Sequence, residues 1–422
     1  MKAELLRQWG SVPLIDFLKE AVLRTGCLEP IRSVAGGGSI PPDVLTERLI
    51  LAIFAHGTGT GIHSVAAGSG HHHTENDVRY ASSHYLSLEA ARQIAIRVAD
   101  ATFAVRRKDL WGEGSTALAS DSTHVSAWDQ NLFTEWHSRY GGRGVLIYWS
   151  VEKGSVVVHS QLLSPSASEV HAMVEGAIHH GTSMQVEETY VDSHGQSEIG
   201  FGVSRLLDFD LLPRMKRINK AKLYRPLPGE PDAYPRLLPA LTRPIRWDMI
   251  DEQYDSMIKY ATAIRVGTAS TEAILRRFTR TAGHPTYQAM LELGRAQKTI
   301  FVARYLRLRE LQREVEEALN VVESWNRANT VIRYGNQGEF ATNRRDQQEM
   351  AVLCLRILQA ALVYVNTLMI QDVLADPKWD DILTNEDRRG LTPLIWLHVL
   401  PYGEVKLNMR TRLALGKGFP HT

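Results

Sequence analysis

The feature that most restricts the fold of this 422-residue chain is a β-forming block set between two helical regions. Val145 to Val151 reads VLIYWSV, Ser155 to Leu163 reads SVVVHSQLL, and Glu152-Lys153-Gly154 separates them. β-Branched and aromatic runs on either side of a turn predict a hairpin. Thr116 to Asp121 precedes it as a short strand. A helix from Ser166 to Ala177, a strand from Glu188 to Asp192, a helix from Ser197 to Leu207 and a strand from Phe209 to Pro213 follow. That order predicts an α/β fold: a mixed sheet with helices packed on it.

The flanks read as helices. Residues 1–30, 44–56 and 87–107 carry apolar side chains near helical spacing, with Pro13 interrupting the first and Ser87 placed to cap the last. Gly36-Gly37-Gly38 and Pro41-Pro42 break the chain between them, and Gly57, Gly59 and Gly61 mark a turn. Beyond about residue 245, helices are expected over 248–265, 270–280, 285–319, 343–374 and 384–399, with Pro285 opening the third. No internal repeat or low-complexity tract interrupts this pattern.

Composition narrows the class. Apolar residues make up 44% and charged residues 23%, enough to build a sizeable core. No run of about 18 apolar residues predicts a membrane span, and MKAELLRQWG lacks the apolar stretch of a signal peptide. Cys27 and Cys354 are too few for a disulfide framework or a Cys-based zinc site, and fit a reducing cytosol. The net charge is +1, so any nucleic-acid contact must come from local clusters, of which Arg214, Lys216, Arg217, Lys220, Lys222 and Arg225 form the densest.

Two acids sit where strands are expected to end: Asp121 in LASDSTHVSAWDQN and Asp192 in ETYVDSHGQSE. Open α/β sheets place ligands at strand ends. If those strands are neighbours, the two carboxylates repel each other, and a hard divalent cation with oxygen ligands would offset the repulsion. Glu292, in TYQAMLELGRAQKTIF on the long helix, would add a third carboxylate and room for two metals, which suits phosphodiester chemistry. Spacing alone does not single out this triplet from 47 acidic residues. A strand cap, a turn residue and a solvent-facing helix residue are the plain alternatives.

The surrounding segments supply the missing specificity. SDSTHVSAWDQNLFTEWHSRYGGRGVLIYWSVEK, YVDSHGQSEIGFGVSRLLDFDLLPR and HPTYQAMLELGRAQKTIFVARYL resemble the catalytic region of Tn3-family transposases, as do LTRPIRWDMIDEQYDSMIKYATAIRVGTASTEAILRRFTR and LTPLIWLHVLPYGEVKLNM. The likeness runs over roughly residues 40 to 415. It implies an RNase H-like DDE domain with Asp121, Asp192 and Glu292 as catalytic and metal-binding acids, Glu292 lying in the family's ELG-x-x-x-KT element. It also implies Mg²⁺, for which Mn²⁺ would substitute, and nicking of transposon ends followed by replicative transfer of the 3′-hydroxyl to target DNA. A homodimer acting on DNA in the bacterial cytoplasm, at the nucleoid and away from membranes, completes that expectation.

The corresponding domains are a helical region 1–110, an RNase H-like catalytic domain 111–310 with a helical insertion at about 214–283, and a helical region 311–422. Family members are much longer, and their N-terminal part recognises the inverted repeats. An inactive truncated transposase that binds DNA or regulates is the alternative expectation.

Further residues fall around the acids. His194 and Gln196 follow Asp192 closely enough to reach a scissile phosphate, and Arg295 shares the helical face of Glu292, where it would hold that carboxylate or contact DNA phosphate. Lys298, at i+6, points away from Glu292 and suits a structural or DNA-backbone role. The basic run from Arg214 through Lys216, Arg217, Lys220 and Lys222 follows the strand after Asp192, where phosphate contact is expected. Trp128-Asp129-Gln130-Asn131 and Trp136-His137 offer stacking or phosphate contacts beside the first acid. His71-His72-His73 reads as a polar loop, and Gly57 to Gly61 lacks the strand and Lys-Ser/Thr of a phosphate loop.

Overall fold

A ten-residue strand, Ala117–Ser126 (β1), organises the sheet in the computed structural model. It pairs antiparallel with Gly142–Glu152 (β2), which pairs antiparallel with Val157–Leu163 (β3). On its other side β1 pairs parallel with Glu188–Val191 (β4), and β4 pairs parallel with Asp210–Pro213 (β5). The spatial order is therefore β3-β2-β1-β4-β5, with Glu135–His137 adding a short pairing to the start of β2. The structure describes residues 1–34, 36, 40–127, 134–138, 141–229, 234–340 and 342–416. Gly37, Gly38 and the Trp128 to Asn131 segment lie outside them.

The helices that matter to the site are Leu14–Thr25 (α1), Pro42–Thr58 (α2), Leu88–Val105 (α3), Glu169–Ile178 (α4), Glu198–Leu206 (α5), Pro285–Arg307 (α6), Arg309–Ile332 (α7) and Arg345–Leu374 (α8). Ser87, Ser168 and Ser197 cap α3, α4 and α5, each accepting a backbone N–H of the first turn. Helix α8 packs against α1, α2, α3 and β3 and joins the N-terminal helices to the sheet. It is long and apolar enough to cross a membrane by composition, yet that apolar stretch is wholly buried inside the protein. Its Arg356, 2% exposed, donates to the Val157 and Val158 carbonyls at the edge strand.

Several expected boundaries shift. β1 does not stop at Asp121, because Ser122 to Ser126 continue the ladder with Tyr148 to Gly144 of the hairpin. The expected helix over 285–319 is two helices, parted at Leu308, whose backbone is extended (φ −108°, ψ 104°). Gln253 similarly divides 248–265 into Trp247–Glu252 and Tyr254–Arg265. The helix expected over 384–399 is reduced to Asn385–Arg389. Pro393 cannot donate to a helix ladder, and Asn366 of α8 donates to the carbonyls of Pro393 (2.9 Å) and Ile395 (2.7 Å), holding the segment out of a helix. Val399–Leu400 then pairs with Val12–Pro13. Between 214 and 283 the chain forms helices and also a two-stranded parallel ribbon, Leu223–Arg225 with Leu241–Pro244.

Candidate active site

Parallel pairing of β1 with β4 ends at Ser120 opposite Val191, and the next residue on each strand is an aspartate. Asp121 and Asp192 thus stand side by side on neighbouring strands about 4.8 Å apart. On β1 the chain runs on, so Asp121 is mid-strand and its carboxylate accepts from the Ser122 N–H at 2.8 Å. On β4 the chain turns, and Asp192 caps a single helical turn, Ser193–Gly195, with its Oδ2 3.4 Å from the Ser193 hydroxyl. Its Oδ1 is buried and has no hydrogen-bond partner among the described residues. Lys216 places Nζ 3.8 Å from Oδ2. An unpaired buried carboxylate oxygen beside a second carboxylate is a donor set that fits a hard divalent cation.

Alternation along β1 sorts its neighbours. Ser122 donates to Glu169 of α4 at 2.8 Å on one face, while Thr123 bonds Asn326 of α7 on the face that carries Asp121. Trp149, opposite Asp121 in the register, is 1% exposed and fills that face. α7 therefore roofs the aspartate side, and α4 covers the other.

Glu292 is held in a different way. It sits mid-way along α6, with its side chain 3% exposed. Arg243, from the ribbon, grips it through both guanidinium nitrogens, Nη1 at 3.1 Å from Oε2 and Nη2 closer still to Oε1. The Arg246 N–H reaches Oε2 at 3.2 Å, and Arg295 Nη1 reaches Oε1 at 2.5 Å. Burial pushes the Glu292 carboxyl up, but these hydrogen bonds and charges outweigh it and hold the group below the usual carboxylate value. Arg295 also pairs with Glu198 at 2.8 Å, and Glu198 accepts from the Tyr224 hydroxyl at 2.9 Å. Both guanidiniums lie over the Tyr224 ring, at 5.5 Å for Arg243 and 5.7 Å for Arg295.

The structure thus brings Asp121 and Asp192 together and leaves Glu292 in an arginine cage. Among the described residues, no three His, Cys, Asp or Glu side chains converge on a metal position. With both its oxygens already bonded, Glu292 does not fit a metal in this arrangement. Its helix is nonetheless tightly placed. A Cβ at Gly294 would collide with the Glu198 carbonyl, and one at Gly202 with the Met290 carbonyl, so two glycines let α5 and α6 touch backbone to backbone.

The other expected site residues separate. Of the two roles left open for Arg295, its guanidinium is seen on Glu292. Lys298, expected to point away, donates at 2.9 Å to the Gln196 carbonyl and so ties α6 to the turn after Asp192; its burial pulls the amine down from its ordinary value. Gln196 donates to the Arg214 carbonyl at 2.8 Å. Arg214 is ion-paired with Glu316 at 3.0 Å and Glu323 at 3.6 Å of α7, so a phosphate would compete with two carboxylates for it. Lys216, Arg217, Lys220 and Lys222 are exposed. The His194 side chain lies outside the described ones. Trp136 is 61% exposed next to β2. His73 pairs with Glu47 at 2.7 Å. Reading the sequence missed Arg243, Glu198, Tyr224 and Glu169, because each acts on a partner distant in the chain.

The Tn3 transposase DDE domain matches residues 16–404. The chain is 27% identical over 307 residues to the transposase for transposon Tn1546 of Enterococcus faecium, covering 72% of this chain and 31% of that protein. It is 26% identical to the transposase for transposon Tn501 of Pseudomonas aeruginosa, covering 74% and 32%. With the transposase for transposon Tn2501 of Escherichia coli it shares 24% identity over 427 residues, covering 97% and 41%. The chain spans about a third to two fifths of the length of these relatives.

Proposed function

This chain belongs to the Tn3 transposase DDE-domain family, and from that premise we propose that it is the catalytic region of a DNA transposase. The observation that carries the reading is the Asp121–Asp192 pair at the end of the β1–β4 parallel ladder, inside the family's matched region. The β3-β2-β1-β4-β5 order, antiparallel on one side of β1 and parallel on the other, supports an RNase H-like core. In this reading residues 111–310 form the catalytic domain with an insertion at about 214–283, and 1–110 and 311–422 flank it.

The proposed substrates are transposon ends and target DNA, and the reaction is nicking followed by strand transfer, leading to replicative transposition. The family implies a divalent cation, and Asp121 and Asp192 would hold it, Mg²⁺ by preference or Mn²⁺. When bound, it supplies activation of an attacking water or 3′-hydroxyl and stabilisation of the leaving oxygen. The chain's own residues do the positioning. β1 and β4 fix the two carboxylates through backbone pairing, α7 closes the face of Asp121, and the exposed Lys216, Arg217, Lys220 and Lys222 offer phosphate contacts beside Asp192. A homodimer on paired ends, in the bacterial cytoplasm, belongs to the same proposal.

The test is a strand-transfer assay with pre-cut transposon-end DNA, a target duplex and Mn²⁺. Joined product that disappears in Asp192→Ala supports the proposal. Full activity in that variant, or DNA binding with no metal-dependent cleavage or joining, contradicts it.

A further inference from the structure

A cleft of about 340 Å³ opens beside the edge strand β3, where α3, the end of α4 and α8 meet it. It lies on the sheet face opposite the one that carries Asp121. His159 stands level with Ser150, and Ser150 with Ser120, so these side chains share the face covered by α4. A Cβ at Gly176 of α4 would meet the Ser150 hydroxyl and lie 3.8 Å from His159 Nδ1.

The cleft gathers cationic and imidazole groups: Arg92 from α3, Arg345 and Arg356 from α8, and His159 and His180. Its two carboxylates are already engaged. Glu175 accepts from the Thr271 hydroxyl at 2.7 Å and meets His179 at 2.8 Å, and Glu349 pairs with Arg345 at 3.0 Å. Arg356 has no carboxylate partner among the described residues. It is 2% exposed, and its Nε and Nη2 donate to the Val157 and Val158 carbonyls, while its Nη1 makes no hydrogen bond among the described residues. Burial, and then the charge of Arg92, pull its guanidinium down to about 9. His159 Nδ1 is buried without a hydrogen-bond partner, and burial followed by Arg356 pulls that imidazole down to about 3. A buried charge is unfavourable without a counter-ion. An anion with several acceptor oxygens offsets that cost, and the planar fork of arginine suits the oxygens of a phosphate.

We propose that this cleft is a phosphate-binding site, in which Arg356 and Arg92 hold the anion and His159 Nδ1 donates to it. The phosphate belongs to a free phosphate compound or to a DNA backbone, and the donors that recognise it are the same in both cases. The inference does not rest on the transposase reading, because none of these residues belongs to the acidic site.

Isothermal titration calorimetry of the full chain with inorganic phosphate, at fixed ionic strength, tests this. The native chain should bind phosphate, and Arg92→Gln should weaken that binding about tenfold, the size of one lost charge-assisted hydrogen bond. Arg356→Gln should weaken it at least as much. That side chain also ties down the edge strand, so thermal melts accompany the titration, and Arg92→Gln, at a side chain 48% exposed, decides the matter if Arg356→Gln unfolds. Arg79→Gln, at an exposed arginine outside the cleft, should leave phosphate binding unchanged. A short DNA duplex separates the two sources. A duplex that displaces phosphate and binds Arg92→Gln more weakly supports the site with a backbone phosphate as its occupant. A duplex that does neither supports the site with a free phosphate compound. Absence of phosphate binding, or binding that Arg92→Gln weakens no more than Arg79→Gln does, overturns the proposal. Asp192→Asn should bind phosphate as the native chain does, so its loss of strand transfer tests the transposase reading alone.

Discussion

The two aspartates and the glutamate are held by different physics. Asp121 and Asp192 are placed by strand pairing, and Asp192 keeps a buried oxygen without a hydrogen-bond partner among the described residues. Glu292 is placed by close packing of α6 on α5 and is satisfied by four donors from three residues. One region keeps an unsatisfied oxygen that a cation could use; the other has its charge already met. Removing charge should therefore act in opposite directions at the two places.

The largest effect is expected at the packing that sets α6. Gly294→Ala drives a methyl into the Glu198 carbonyl, a backbone atom that cannot swing away. It should cost about 3 kcal/mol of stability in a denaturant melt. An unchanged midpoint would mean that the α5–α6 contact is loose and that Glu292 is not fixed by it.

Next comes Glu292→Gln, which leaves Arg243 and Arg295 without their shared carboxylate. Arg243 is 43% exposed, so solvent screening reduces the cost of a fully buried pair to about 2 kcal/mol. The pH dependence has a definite sign. The folded carboxyl titrates below its ordinary value of 4.5, so its stabilisation is present above that value and is lost as pH falls through the folded one. The native chain should lose its advantage over the variant only in that acid window, read from melts across pH. A difference that persists to lower pH would contradict the pairing.

Asp192→Asn should act in the reverse sense. It removes the repulsion between the two carboxylates and the charge on a half-buried group with one unsatisfied oxygen, and should raise stability by about 1 kcal/mol while abolishing metal binding. A loss of stability comparable to Glu292→Gln would erase the contrast. The smallest effect is Lys216→Ala. The side chain is 63% exposed and 3.8 Å from Asp192, so stability should move by less than about 0.5 kcal/mol. Its signature would instead be a shallower salt dependence of DNA binding, by about one unit of slope.

The same contrast governs how much was readable in the sequence. The hairpin and helices α3 to α5 follow from local patterns, since strand alternation and helical spacing act over a few residues, whereas the two aspartates stand out only through the resemblance of the segments around them. The continuation of β1 past Asp121 needed its partner in β2, a constraint from residues about 25 positions away. The break at Leu308 has no Gly or Pro to announce it, and apolar spacing continues through both helices. The false helix over 384–399 was betrayed by Pro393, but its extended path depends on Asn366 of α8. Arg243 meets Glu292 across 49 positions of sequence, and a charge pair at that distance leaves no local pattern. Lys298 looked misdirected relative to Glu292 because a helical wheel shows faces and not the turn that packs against them.

The most direct measurement is anomalous diffraction from Mn²⁺ in crystals of the chain bound to transposon-end DNA. Mn²⁺ between the Asp121 and Asp192 carboxylates, beside a backbone phosphate of the DNA, is the predicted result. Mn²⁺ bound elsewhere, or none near the aspartates, would contradict the account.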